Sequence, residues 1–149
     1  RHDEAVFDYL SFRRDMEGLA AERAARLGSN TDLQVVQTIF DKMVAAHPAR
    51  NADAESALDA QFHMAIVEAS HNVIMLHMMR SMYDLLRNGV FYNRQVRAIN
   101  DALQARDPDA ARTAVEAHLD YVERALRDQK KAERNEDVAR QRLDHETQA

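Results

Sequence analysis

Residues that form turns or interrupt helices are scarce in this chain, which has three Gly and two Pro among its 149 residues. Average proteins contain about 7% Gly and about 5% Pro, so the regular elements here must be long and the connections short. The apolar residues are mainly Ala, Leu, Val and Met, and most of these lose little side-chain entropy in a helix. The sequence therefore predicts an all-α fold.

Charge and composition narrow the class of protein. The formal net charge is −5, whereas a chain that binds nucleic acid by itself usually carries a basic excess. The chain has no Cys, which excludes disulfides, thiolate zinc sites and thiol catalysis. No apolar run approaches the roughly 20 residues that span a bilayer, and Arg1–Glu4 does not resemble a signal peptide. We therefore expect a cytoplasmic protein that does not bind membranes. We also expect a fragment of a longer chain, because the sequence does not start with Met and its helical pattern begins at the first residues.

Apolar residues recur at helical spacing in six segments. The first helix is expected over about residues 4–27, with Leu19 on its apolar stripe and Gly28 at its end. The fourth, over about residues 73–88, is apolar nearly all round, which indicates burial on most sides or an interface. Six helices with short connections predict a single-domain antiparallel bundle.

Beyond Arg127 the apolar pattern thins to isolated residues among charges. We expect the bundle to occupy residues 1–127, and residues 128–149 to form a solvated helical extension that frays at its end. The alternative is a docking arm.

Candidate metal ligands lie on the third and sixth predicted helices. Asp59 and His63 are four residues apart, one turn apart on the same side of a helix. Such a pair can hold a divalent metal such as Zn, Ni, Mn or Fe, although this spacing on a helix more often marks a local hydrogen bond. His118 falls on the inward stripe of the sixth helix between Val115 and Leu119. It is either a third ligand or a core histidine with a hydrogen-bond partner.

Three segments, taken in order, resemble the FCD domain, the effector-binding domain of FadR-type regulators in the GntR family. They are RRDMEGLAA (residues 13–21), DAQFHMAIVEASHN (residues 59–72), and INDALQARDPDAA followed by His118-Leu119 (residues 99–119). The likeness extends over about residues 5–127, and SHNVIMLH (residues 70–77) is similar to members that sense pyruvate or lactate.

The resemblance implies a bundle of six or seven helices around a pocket that often holds a metal on one Asp and three His. Asp59, His63 and His118 match three of these ligands. The fourth would fall at position 96, where this chain has Val96. Either the ligand is lost, leaving a weaker metal site or a purely organic pocket, or residues are missing between Gly89 and Ile99 and a histidine with them.

Arg13 matches the family's arginine that meets the carboxylate of the effector. A buried guanidinium can bind a carboxylate through two parallel hydrogen bonds. The simpler interpretation is an exposed arginine that pairs with Glu17 at i+4. Arg14 is the rival for the ligand role.

The leading hypothesis is a sensor and dimerisation module of a transcription regulator, not an enzyme. It would bind a small carboxylate, such as a 2-oxo or 2-hydroxy acid, at a divalent metal, with Zn favoured. Operator DNA would be contacted only through an N-terminal winged-helix domain that this sequence lacks. The alternatives are a helical metal-dependent enzyme using Asp59, His63 and His118, and a helical scaffold without a site.

Overall fold

The computed structural model of the chain describes residues 2–82 and 93–148. Every regular element in these ranges is helical: α1 His2–Leu27, α2 Asn30–Ala46, a 3₁₀ turn His47–Ala49, α3 Ala52–Ala69, α4 Val73–Ser81, α5 Asn93–Gln104 and α6 Pro108–Gln148. The predicted all-α bundle is confirmed. Among the described helices, none is both long enough and apolar enough to cross a membrane.

Short polar residues start three of these helices. The Ser29 side chain accepts from the backbone N–H of Asp32, whose carboxylate accepts from Ser29 N–H, so α2 opens with a complete capping box. The side chain of Asn51 caps α3, and that of Asn72 caps α4. Such caps satisfy backbone N–H groups that have no partner inside the helix, which allows the connections to be short.

The bundle is organised around the first and last helices, which make the most extensive contact in the described structure. Helix α2 packs on α3 and α5, α5 packs on α6, and α3 packs on α1 and α4. Small residues of α1, including Ala20, Ala21 and Ala24, are fully buried and allow close approach. Leu19 is exposed, so the prediction that it lies on the buried face of α1 is wrong. That face includes Arg13 and Glu17.

Helix α6 does not end where the apolar pattern ends. It runs without interruption to Gln148, and residues 131–148 are exposed, in agreement with a solvated helical extension. Fraying at its end stays a prediction. Pairs at i,i+4 such as Arg127–Glu123 and Arg140–Glu136 favour the helical conformation there. The domain division at Arg127 and the docking arm remain predictions.

Helix α4 departs from its predicted form in two respects. It ends at Ser81, before the predicted end near Asn88; residues 83–92, with the predicted stop at Gly89, lie outside the described residues. Its apolar side chains are not buried on most sides, because Val73 is 74% exposed and Ile74 is 66% exposed. Of the two interpretations of this helix, burial on most sides is excluded for Val73 and Ile74, and a role at an interface stays a prediction.

We predict that Gly28→Ala destabilises the bundle where α1 meets the end of α3. A Cβ at this position would lie 2.6 Å from the backbone oxygen of Ala24 and 3.4 Å from that of Ala69, and backbone atoms cannot move aside cheaply. Overpacking of this kind costs about 1–3 kcal/mol, which thermal unfolding would measure.

Gly18→Ala is the matched control. Its Cβ would meet the Cγ of Glu116 at 3.3 Å, a side-chain atom that can shift, and Ala adds helix stability of about 0.5–1 kcal/mol. Equal melting temperatures for the two variants would contradict the backbone clash at Gly28.

Candidate metal and ligand site

Two helices bring the three predicted ligands together. Asp59 and His63 lie one turn apart on α3, His118 lies on α6, and all three side chains are buried. Each offers a ligand atom within 4.8 Å of those of the other two. The imidazole rings of His63 and His118 are stacked, with centroids 5.6 Å apart and planes inclined by 14°. The separations suit donors around one ion, and the donor set of one oxygen and two nitrogens suits a divalent transition metal.

A buried ionic chain holds His63 from the side of α1. Arg13 Nε donates to Glu17 Oε2 at 2.5 Å, and His63 Nδ1 donates to Glu17 Oε1, also at 2.5 Å. Arg13 is 4% exposed, so the interpretation of an exposed arginine is wrong, whereas its pairing with Glu17 is correct. Arg14, the rival position, is partly exposed and pairs with Asp120 at 2.8 Å.

His118 is held from α5. Its Nδ1 lies 3.0 Å from Oε1 of Gln95. An amide oxygen only accepts hydrogen bonds, so Nδ1 of His118 carries the proton and Nε2 carries the lone pair. Residue Val96, at the position counted for a fourth ligand, is fully buried and belongs to the hydrophobic core. Of the stretch from Gly89 to Ile99, where missing residues would join, residues 93–99 belong to the continuous helix α5, and residues 89–92 lie outside the described residues.

The charges fix different protonation states on the two histidines. Burial lowers the pKa of His63, but the negative charges of Glu17 and Asp59 outweigh burial and raise this pKa to about 9. Burial and the nearby positive charge of His63 lower the pKa of His118 to about 4. Burial raises the pKa of Glu17, yet Arg13 and His63 bring it down to about 2. At neutral pH the site contains ionised Glu17, protonated His63 and neutral His118.

Three buried polar atoms in the described structure have no hydrogen-bond partner: Asp59 Oδ1, His63 Nε2 and Tyr9 Oη. Asp59 Oδ1 and His63 Nε2 are 3.5 Å apart. This distance allows an ion pair but is too long for a good hydrogen bond. Leaving a buried polar group unsatisfied costs about 1–3 kcal/mol. The residues present therefore fit a metal ion, which would satisfy Asp59 Oδ1 and, after loss of its proton, His63 Nε2.

Gln95 and Tyr9 were not identified from the sequence, and Glu17 was identified only as the partner of an exposed Arg13. A signal for Glu17 exists, because Arg13 and Glu17 fall on the same helical stripe as Leu10, Ala20 and Ala24, and two charges on such a stripe indicate a buried pair. Gln95 has no comparable signal. Its partner is 23 positions away along the chain.

Comparison with known proteins agrees with this architecture. The FCD domain family matches residues 8–121. The putative L-lactate dehydrogenase operon regulatory protein of Escherichia coli (strain K12) is 33% identical over 81% of this chain and 51% of its own length. The Glc operon transcriptional activator of the same strain is 31% identical over 83% of this chain and 56% of its own length. The chain thus spans about half the length of these curated relatives.

Solved structures share the fold. The Streptococcus agalactiae GntR protein has a TM-score of 0.72 at 23% identity, over 78% of this chain and 57% of that chain. A GntR family member from Pseudomonas syringae pv. tomato has a TM-score of 0.74 at 12% identity, over 91% of this chain and 60% of that chain. These relatives are transcription regulators and not enzymes, as the sequence predicted. The chain belongs to the FCD domain family.

Proposed function

We propose that this domain senses a small carboxylate at a divalent metal held by Asp59, His63 and His118. The observation that carries the proposal is the convergence of these three buried side chains, of which Asp59 Oδ1 and His63 Nε2 have no hydrogen-bond partner. Three protein ligands leave coordination positions open, so a bound metal would supply positive charge and a site for a carboxylate oxygen. Zn is the metal we favour for this donor set.

Arg13 is the residue we assign to the ligand. Its contact with Glu17 uses Nε, and a guanidinium has further N–H donors in a planar fork that matches a carboxylate. The name of one relative refers to an L-lactate dehydrogenase operon, and lactate is a 2-hydroxy acid. We therefore place 2-hydroxy and 2-oxo acids first among the candidate ligands.

Ligand binding would act on DNA through a winged-helix domain outside residues 1–149 and through a homodimer in the cytoplasm. The exposed apolar side chains Val73, Ile74 and Met78 of α4 support a contact with a second copy. Such a switch requires that the ligand bind one arrangement of the dimer more tightly than the other.

The proposal is tested by thermal unfolding of the metal-free protein with zinc, then with zinc plus acetate, glycolate, L-lactate or pyruvate. We expect zinc to raise the melting temperature and at least one carboxylate to raise it further, since a ligand that binds only the folded state stabilises it. His118→Gln should abolish the response to zinc. His77→Gln, a change of an exposed histidine on α4, is the control and should retain it. An unresponsive parent protein, or a His118→Gln variant that binds zinc normally, would refute the proposal.

The protonation states predict how many protons leave when the metal binds. His63 carries a proton at pH 7.5 because its pKa is raised to about 9, whereas His118 is already neutral because its pKa is lowered to about 4. A metal requires a neutral imidazole, so zinc binding should release about one proton. Affinity should fall about tenfold for each pH unit below 9 until His118 also titrates. Calorimetry in buffers of different ionisation enthalpy measures the number, and release of two protons or none would contradict these states.

Glu17 should control the metal affinity without contacting the metal. Its carboxylate accepts the Nδ1 proton of His63 and so directs Nε2 towards Asp59. Loss of such an outer partner typically reduces metal affinity about 10–100-fold, which we expect for Glu17→Gln in a zinc competition assay. Stability should also fall by about 3–5 kcal/mol, because Arg13 would be left buried without its counter-charge.

Asp120→Asn is the matched control for Glu17→Gln. It removes the carboxylate from the ion pair with Arg14, in which both side chains are more than a third exposed. Exposed pairs contribute less than about 1 kcal/mol. We expect unchanged zinc affinity. If both variants lose zinc affinity equally, the effect of Glu17 is one of general charge and not of orientation.

A further inference from the structure

Tyr9 carries a buried polar group that the metal cluster does not explain. It lies on α1 one turn before Arg13, and its hydroxyl is buried with no hydrogen-bond partner among the described residues. The guanidinium carbon of Arg13 lies 5.5 Å from the centre of its ring. A phenylalanine could pack the ring equally well, so the hydroxyl costs folding free energy unless something else satisfies it.

The surroundings of this hydroxyl are those of the metal and ligand site. Burial raises the pKa of Tyr9, and the negative charges of Glu17 and Asp59 add to it. The positive charge of Arg13 and a polar contact with its guanidinium oppose this, although that contact does not have the geometry of a hydrogen bond. These charges belong to the residues that hold or flank the cluster. The phenol therefore keeps its proton at neutral pH and can donate a hydrogen bond there.

An anion is the partner that fits these surroundings. Arg13 is beside the phenol and supplies positive charge, and a phenol O–H donates well to a carboxylate oxygen because a charged acceptor strengthens the bond. In the described structure Arg13 forms an ion pair with one carboxylate, that of Glu17. A neutral partner of the phenol would not add a second one. A second carboxylate would be held from two directions, by Arg13 and by the phenol.

We propose that Tyr9 is a ligand-binding residue whose hydroxyl donates a hydrogen bond to the carboxylate of the small acid that Arg13 binds. This inference rests on the proposed carboxylate-sensing function and adds to it a residue on α1. The free domain accepts an unsatisfied hydroxyl, and the bound domain satisfies it. Tyr9 is thus optimised for the complex and not for the stability of the free domain.

The test compares Tyr9→Phe with the parent protein and with Tyr121→Phe, in which an exposed tyrosine of α6 is changed in the same way. Zinc affinity is measured first. The zinc-loaded proteins are then titrated calorimetrically with acetate, glycolate, L-lactate and pyruvate. For Tyr9→Phe we expect unchanged zinc affinity, about tenfold weaker binding of the acid that binds the parent most tightly, and an equal or higher melting temperature without ligand. Tyr121→Phe should match the parent in zinc affinity and in acid binding.

Each contrary result has a distinct meaning. If the parent binds zinc and an acid, and Tyr9→Phe binds the acid equally well, the role of Tyr9 is refuted while the sensing function stands. If Tyr9→Phe loses zinc affinity, the hydroxyl supports the metal ligands, and its assignment to the acid is wrong. A parent protein that binds none of the acids overturns the role of Tyr9 together with the proposed function.

Discussion

A carboxylate between two buried cations determines how the rest of this site is arranged. Glu17 accepts from Arg13 on its own helix and from His63 on α3, and all three side chains are almost fully excluded from solvent. Burying one charge alone would be prohibitive, whereas a hydrogen-bonded row of alternating charges is tolerated. The contacts among Arg13, Glu17 and His63 determine which face of α1 packs on α3 and how the His63 ring is oriented. They also keep on His63 the proton that a metal would displace.

The site collects one or two residues from each of four helices. Arg13 and Glu17 come from α1, Asp59 and His63 from α3, Gln95 from α5 and His118 from α6. The contact of Glu17 with His63 joins α1 to α3, the ligand atoms join α3 to α6, and the contact of Gln95 with His118 joins α5 to α6. Occupancy of the proposed centre would depend on the relative positions of these helices, which a sensor requires if binding is to change its contacts elsewhere.

The sequence predicted the parts of the structure that depend on local spacing. The scarcity of Gly and Pro predicted the all-α class. The candidate ligands followed from the i,i+4 spacing of Asp59 and His63 and from the place of His118 on the apolar face of its helix. The contacts of Glu17 with His63 and of Gln95 with His118 join residues 46 and 23 positions apart. Such contacts depend on the rotation of each helix about its axis. Counting residues for a fourth ligand reached Val96, whereas the side chain that meets His118 belongs to Gln95, its neighbour.

The unbroken course of α6 has a mechanical consequence. His118 and the solvated segment up to Gln148 belong to one helix without an intervening joint, and 30 residues of α-helix extend about 45 Å. A rotation of about 5° at His118 would sweep the far end through about 4 Å over that length. A shift of less than one ångström at the His118 side chain would thus become a displacement of several ångströms at the exposed end of α6. A displacement of that size would alter contacts with a neighbouring macromolecule.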